Sequence, residues 1–298
     1  MAYLLQQLAN AVPLAALYAT LAFGYSLAFA VTKRADITYG AIFAFSGHLY
    51  LLFAHIGWNR FWLVLPAALS VGAVVALAGG IGAGVTVGQF VMRPLAGISP
   101  NAVTVASLGV LMVLMEGARL ASDTRELWLP PFLNDALVFW RGDGFPVTLT
   151  LIQLANAAVM LAMMAAGHLI LTRTRWGRMW RAVADDPFAA ELSGTNSSRV
   201  FVMAYVFAAL FASVCGVLAT SHYGTMDFGA GLLFGLKVVL IAAAGGHSNP
   251  ICSAAGAAVV GFAETLWSGY GPILWRDLVV VGVLVLVLVM SRRERVVP

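Results

Sequence analysis

The chain has 298 residues, of which 61% are hydrophobic and only 10% carry a charge. A soluble domain carries about 25% charged residues, so a soluble fold of this composition would expose large apolar patches and aggregate. The formal net charge of +4 does not indicate a nucleic-acid partner, because the basic residues lie mainly in short connectors between apolar runs.

Apolar runs recur along the whole chain. A helix that spans a bilayer needs about 20 predominantly apolar residues, and roughly nine runs approach that length: about 9–31, 36–56, 61–83, 101–119, 149–171, 199–220, 230–246, 250–268 and 273–290. We predict an all-α, polytopic integral membrane protein with about eight to nine transmembrane helices, folded as a single domain over residues 1–298. Two runs, 36–56 and 230–246, are polar or short enough to be broken or re-entrant helices instead.

The basic connectors predict the orientation, because cytoplasmic loops of membrane proteins are enriched in lysine and arginine. The residues that we expect on the cytoplasmic side are Lys33, Arg34, Arg93, Arg173, Arg175, Arg178, Arg181, Arg292, Arg293 and Arg295. The long connector 120–148 has balanced charge and is predicted to be external. Nine crossings with an internal C-terminus place the N-terminus outside.

Two segments of the chain resemble each other. The matching residues of segments 24–45 and 216–236 are Gly24 with Gly216 and Asp36 with Asp227. The predicted topology gives these segments opposite directions across the membrane, and inverted repeats of this kind are typical of transporters.

The segment 172–199 is too polar to span, and its basic residues precede its acidic ones. Asp185, Asp186 and Pro187 are typical of a helix start, since acids favour the N-terminal end of the helix dipole and proline fits the first turn. We predict a short cytoplasmic helix over 187–192 that Gly194 closes. An importer would need such an element to press against a cytoplasmic partner.

Lys237 and Glu264 lie deep in apolar runs, where ionisable side chains are costly and often functional. They are placed to pair across neighbouring segments, and the sequence leaves open whether the pair is structural or part of a solute path. The sequence shows neither a nucleophile–base–orienter set nor a cluster of metal ligands. We therefore predict no catalytic residue, no metal site and no cofactor.

An ordered set of short motifs resembles the permeases of ATP-binding-cassette (ABC) transporters for branched-chain amino acids. The motifs are Asp36-Ile37-Thr38-Tyr39-Gly40, Met92-Arg93-Pro94-Leu95, Gly177-Arg178, Arg181-Ala182, Asp185-Asp186, Ala190 to Gly194, and Ala244-Gly245-Gly246 followed by Pro250, Gly261 and Glu264. The first motif stands where the family has Asn-Phe-Ala-His-Gly, so that Asp36 and Tyr39 replace the usual asparagine and histidine. This departure leaves the solute open among branched-chain or other amino acids, urea and short amides.

The resemblance implies two sets of functional residues. The residues that would couple the chain to an ATPase are Gly177, Arg178, Arg181, Asp185, Asp186, Pro187, Leu192 and Gly194. The residues that would lie along the translocation path are Asp36, Tyr39, Gly40, Lys237, Gly245, Gly246 and Glu264. It also implies a bacterial inner-membrane complex with a second permease subunit, two cytoplasmic ATP-binding subunits and a periplasmic solute-binding protein.

Two other classes of function remain open from the sequence alone. A stand-alone secondary transporter or channel coupled to an ion gradient would use Glu264, His48 or Asp36 as proton-relay groups. An intramembrane enzyme would need clustered catalytic groups. The chain has no Gly-x-x-x-x-Gly-Lys-Ser/Thr phosphate loop, so an ATP-driven machine would carry its ATPase on another chain.

Overall fold

The computed structural model describes residues 2–96, 99–141, 146–245 and 249–291. The helices are α1 Ala2–Thr32, α2 Thr38–Phe61, α3 Leu65–Thr86, α4 Arg93–Ala96, α5 Pro100–Ala121, α6 Leu151–Arg173, α7 Arg175–Asp185, α8 Pro187–Leu192, α9 Ser197–Tyr223, α10 Ala230–Gly245, α11 Pro250–Tyr270 and α12 Arg276–Ser291, and the strands are β1 Ala136–Arg141 and β2 Pro146–Thr150.

The described residues form a polytopic all-α membrane protein. Seven of their helices are long and apolar enough to cross a bilayer, with α3 and α4 counted as one span of 32 residues. The apolar helices α10 and α12 are shorter, at 16 residues each. Each of the nine predicted apolar runs therefore corresponds to one helix, and α1 lies at the centre, with 83% of its most apolar stretch buried against 22% for α5 and for α6.

Contacts of the connecting segments with the helices define two opposite ends of the bundle. At one end, the Gln6 side chain holds the backbone of Thr148 through two hydrogen bonds of 2.8 Å, and the Leu129 amide donates to Gly224. At the other end, α7 packs against α1, α6 and α9. The predicted external loop 120–148 and the predicted cytoplasmic segment 172–199 thus lie at opposite ends, as the charge pattern requires.

Close crossings of small residues build the interior. Gly40, in the first turn of α2, packs against Gly231 and Gly235, in the first turns of α10. A Cβ atom at Gly216 of α9 would overlap the Phe43 carbonyl oxygen of α2. Helices approach this closely only where side chains are absent, which is how membrane helices gain packing energy without a hydrophobic drive.

The α2–α10 crossing concerns the two runs, 36–56 and 230–246, that the sequence leaves open as spanning, broken or re-entrant. Both helices are continuous within the described residues. They nevertheless enter from opposite ends of the bundle, and their first turns touch in the interior rather than at its ends. The neighbours also fit an inverted repeat: α1 packs on α9, α10 and α11, while α9 packs on α1, α2 and α3. Exchanging α1 with α9, α2 with α10 and α3 with α11 leaves this pattern unchanged.

Two local features were not predicted. The predicted external loop contains most of an antiparallel hairpin of β1 and β2, and the Gln6 side chain and α1 cover β2. The third span is longer than predicted and contains a π-helical turn at Val87–Met92. Pro94 follows directly, and since proline lacks an amide hydrogen it removes an α-helical hydrogen bond there.

Candidate functional site

The polar end opposite the hairpin carries α7 and α8, which connect α6 to α9. The short helix α8 spans Pro187–Leu192, as the sequence predicted. Asp186 caps it: one carboxylate oxygen accepts hydrogen bonds from the amides of Phe188 at 2.9 Å and Ala189 at 3.2 Å. Gly194 closes it with φ at +86°, a backbone conformation that glycine adopts without strain.

The helix α7 attaches this segment to the membrane bundle, and the sequence interpretation above did not predict it, although Trp176, Trp180, Val183 and Ala184 have helical spacing. The Trp180 indole is buried and donates from Nε1 to the Leu27 carbonyl oxygen of α1 at 3.1 Å. Gly177 is buried against the last turn of α6, where a Cβ would overlap the Leu171 carbonyl oxygen. Through α7, the short helix α8 is thus connected to α1 and α6.

The predicted coupling residues separate into a buried anchor and an exposed surface. Gly177 is the buried anchor. The exposed residues are Arg178, Arg181, Asp185, Asp186, Pro187, Leu192 and Gly194. Phe188 was not among the predicted coupling residues. It is 71% exposed on α8 and lies one turn before Leu192, which is 77% exposed. Two large apolar side chains on a charged, capped helix are what a docking surface for another protein presents.

A buried polar pocket surrounds Asp36, in the connector between α1 and α2. Its carboxylate accepts hydrogen bonds from the amide and hydroxyl of Thr38, at 2.8 and 2.5 Å, and from the Tyr205 hydroxyl at 3.1 Å. The Tyr25 hydroxyl accepts from the Asp36 amide at 3.4 Å. Burial raises the pKa of the Asp36 carboxyl, and the hydrogen bonds from Thr38 and Tyr205 oppose that rise.

Two predicted path residues next to Asp36, Tyr39 and Gly40, pack in the interior of the bundle. Tyr39 is buried, its ring lies edge-on to Tyr25, and its hydroxyl oxygen has no hydrogen-bond partner in the described part of the chain. Gly40 forms the α2–α10 crossing. Gly245 ends α10, whereas Gly246 lies outside the described residues.

Lys237 and Glu264 meet, as predicted, in a second polar site. Lys237 Nζ donates to Glu264 Oε1 at 2.9 Å and to Asp277 Oδ1 at 2.8 Å. The Tyr18 hydroxyl donates to Glu264 Oε2 at 2.9 Å, and Arg276 Nε lies 3.6 Å from both Glu264 Oε1 and Asp277 Oδ1. These five residues, on α1, α10, α11 and α12, are the ionic cluster.

The structure thus places five of the seven predicted path residues in two separate sites. Asp36, Tyr39 and Gly40 lie where α2 begins, and Lys237 and Glu264 lie in the ionic cluster. The sequence interpretation missed Arg276 and Asp277, which follow Trp275 near the start of the last apolar run, 273–290. Their position at the start of that run was the available signal, and it suggested an ordinary helix boundary. Within the described residues, no three metal-ligating side chains converge.

The chain is similar to known proteins over nearly its whole length. Residues 7–288 match the family model for the permease component of branched-chain amino acid transport systems. The chain is 28% identical to the high-affinity branched-chain amino acid transport system permease protein LivH of Escherichia coli K12, over 96% of this chain and 93% of that protein. It is 27% identical to the corresponding protein BraD of Pseudomonas aeruginosa, over 95% and 92% of the two chains.

A more distant similarity reaches sugar permeases. The ribose import permease protein RbsC of Escherichia coli K12 is 24% identical over 89% of this chain and 79% of its own length. No solved structure matches the chain.

Proposed function

The chain belongs to the permease-component family of branched-chain amino acid transport systems, and we propose that it is the membrane subunit of an ATP-driven importer of aliphatic amino acids. The family is one of transporter permeases and not of enzymes. The relatives are named for transport systems, which does not favour a stand-alone carrier coupled to an ion gradient.

The observation that carries the proposal is the construction of α8. A short helix with exposed Phe188 and Leu192 stands at the end of the bundle that the basic residues assign to the cytoplasm. Its N-cap, its glycine C-terminus and the buried face of α7 hold it in one orientation. Such a helix can dock in a groove of a cytoplasmic ATP-binding subunit and pass the motion of nucleotide-driven closure to α1 and α6.

The proposal includes the other subunits and the location. A second permease subunit would complete the path, two ATP-binding subunits would drive it, and a periplasmic binding protein would deliver the solute at the hairpin end. The apolar faces of α5 and α12, with exposed Val105, Val113 and Leu286, would lie in the bilayer or against the second permease. The complex would stand in a bacterial inner membrane.

The test uses the assembled complex in proteoliposomes, with leucine uptake and co-purification of the ATPase as readouts. Gly194→Val should abolish uptake and weaken ATPase docking, because a β-branched residue disfavours positive φ. No neighbouring atom lies within 4 Å of a Cβ at this position, so only the backbone conformation is challenged. Asp186→Ala should act more mildly, since loss of an N-cap costs about 0.5–2 kcal/mol.

The matched control is Gly194→Asn, because asparagine tolerates the left-handed conformation better than other residues do. It should retain docking and uptake close to those of the wild type. If Gly194→Val retains both at wild-type levels, α8 is not the coupling helix. If the wild-type complex imports no amino acid at all, the proposed solute class is wrong.

A further inference from the structure

The ionic cluster is balanced in charge, and its two cations contact its carboxylates differently. It holds two cations, Lys237 and Arg276, and two carboxylates, Glu264 and Asp277. Lys237 donates hydrogen bonds to both carboxylates, whereas Arg276 Nε lies 3.6 Å from each of them, within ion-pair range but beyond hydrogen-bonding distance. The Arg276 side chain is 37% exposed, and a guanidinium presents a planar fork of N–H donors, so its exposed part can bind a further carboxylate.

The ionic cluster is exposed on one side, where one carboxylate and one guanidinium are accessible. Glu264 and Lys237 are almost completely covered, with 4% and 10% of their side chains exposed. Asp277 and Arg276 are 54% and 37% exposed. An incoming molecule therefore meets a carboxylate and a guanidinium side by side, with the buried Lys237–Glu264 pair behind them.

An apolar groove of about 590 Å³ adjoins this opening, between α10, α11 and α12. The residues that line it next to the cluster are Ile241, Val260, Ala263, Trp267, Val279 and Val280. Ile241 stands one helical turn after Lys237, Val260 one turn before Glu264, and Val280 one turn after Arg276. The groove thus starts within one turn of the charged groups on three helices.

We propose that the ionic cluster and the groove form a solute subsite for zwitterionic amino acids with aliphatic side chains. This inference rests on the proposed import of amino acids. The α-carboxylate binds Arg276, the α-ammonium group binds Asp277, and the side chain lies in the groove. A zwitterion adds no net charge to a balanced cluster. An anionic or cationic solute would leave an uncompensated charge in a low-dielectric site, which is costly.

The groove supplies the first test, in the assembled complex in proteoliposomes with saturating labelled leucine or alanine. Ala263→Leu narrows the groove beside Glu264, and we expect leucine uptake to fall at least fivefold relative to alanine uptake. Ala255→Leu is the matched control, because Ala255 is also exposed on α11 but lines a different cleft, between α1, α6 and α11. This control should leave the leucine-to-alanine ratio unchanged. An unchanged ratio in Ala263→Leu, including an equal loss of both solutes, would overturn the subsite.

Arg276 supplies the second test. Arg276→Gln should lower the maximal rate of leucine uptake about tenfold, and Arg276→Lys should restore part of it, since a cation is again present. Arg119→Gln is the control, because Arg119 forms an exposed ion pair with Glu116 on α5, away from the cluster. Wild-type uptake by Arg276→Gln contradicts the proposal, and if this variant does not assemble, the Ala263→Leu ratio decides. Absence of amino-acid uptake by the wild type would instead contradict the proposed function itself.

Discussion

Asp36 shows how one residue can be recognised from the sequence while its environment cannot. The similarity to a family motif placed it at a turn before a spanning helix, and the structure has that turn. Its partner Tyr205 lies on α9, 169 residues along the chain, and no local pattern indicates such a contact. The carboxylate is 4% exposed, and its described hydrogen bonds come from neutral hydroxyl and amide groups rather than from a cation.

We expect Asp36→Asn to fold at least as well as the wild type at neutral pH. Asparagine keeps an acceptor for Thr38, and the Tyr205 hydroxyl can reorient to accept from the new amide. Asp36→Ala should cost roughly 1–3 kcal/mol, because it leaves the Thr38 and Tyr205 donors buried without an acceptor. Thermal unfolding in detergent checks both variants, and an asparagine variant less stable than the alanine variant would contradict the expectation.

The stability difference between the wild type and Asp36→Asn should also depend on pH. Because the pKa of Asp36 is raised in the folded state, the native protein holds this proton more tightly than the unfolded chain does. The Asp36 contribution to stability therefore falls as pH rises above the ordinary aspartate pKa. Asp36→Asn lacks this contribution, so the stability difference in its favour should grow with pH.

At the scale of elements, α8 was predicted from the sequence and α7 was missed. The signals of α8 are local: an acid, a proline and a glycine at the right spacing, each acting within one turn. The basic residues of α7 resemble those of an ordinary cytoplasmic loop. Its apolar residues Trp180, Val183 and Ala184 have helical spacing and are buried against α1 and α9. The spacing indicates a helix with one apolar face, but not which helices cover that face.

Two tryptophans of α7 allow a matched test of how α7 is attached to the bundle. Trp180→Phe should cost about 1 kcal/mol and reduce ATP-coupled uptake, because it removes the hydrogen bond to the Leu27 carbonyl. Trp176→Phe should cost less, since the Trp176 Nε1 is buried without a partner in the described part of the protein. Both changes remove a similar volume. Unfolding temperature and uptake check them, and equal losses in the two variants would mean that volume rather than the hydrogen bond matters.

At the scale of the whole molecule, composition was enough to predict a polytopic membrane protein, because no other solvent suits so apolar a chain. The positions of the nine apolar helices followed from run length. The crossing of α2 and α10 did not, although Gly40, Gly231 and Gly235 were all visible in the sequence. Glycine is frequent in this chain, at 30 residues, so the ones that make a close crossing cannot be separated by pattern from those that face lipid.

Orientation can be tested with single cysteines. The charge pattern places Ser193, after α8, in the cytoplasm and Glu126, in the connector 120–148, outside, and both residues are exposed. The background carries Cys252→Ser, since Cys252 is exposed, and keeps Cys215, which is buried and should stay unlabelled. A membrane-impermeant maleimide should label Glu126→Cys in intact cells and label Ser193→Cys only after permeabilisation. Because successive spans alternate in direction across the bundle, labelling of Ser193→Cys in intact cells would mean that the whole topology is inverted. The ionic cluster, which lies nearer the hairpin end, would then face the cytoplasm rather than the side from which an importer receives its solute.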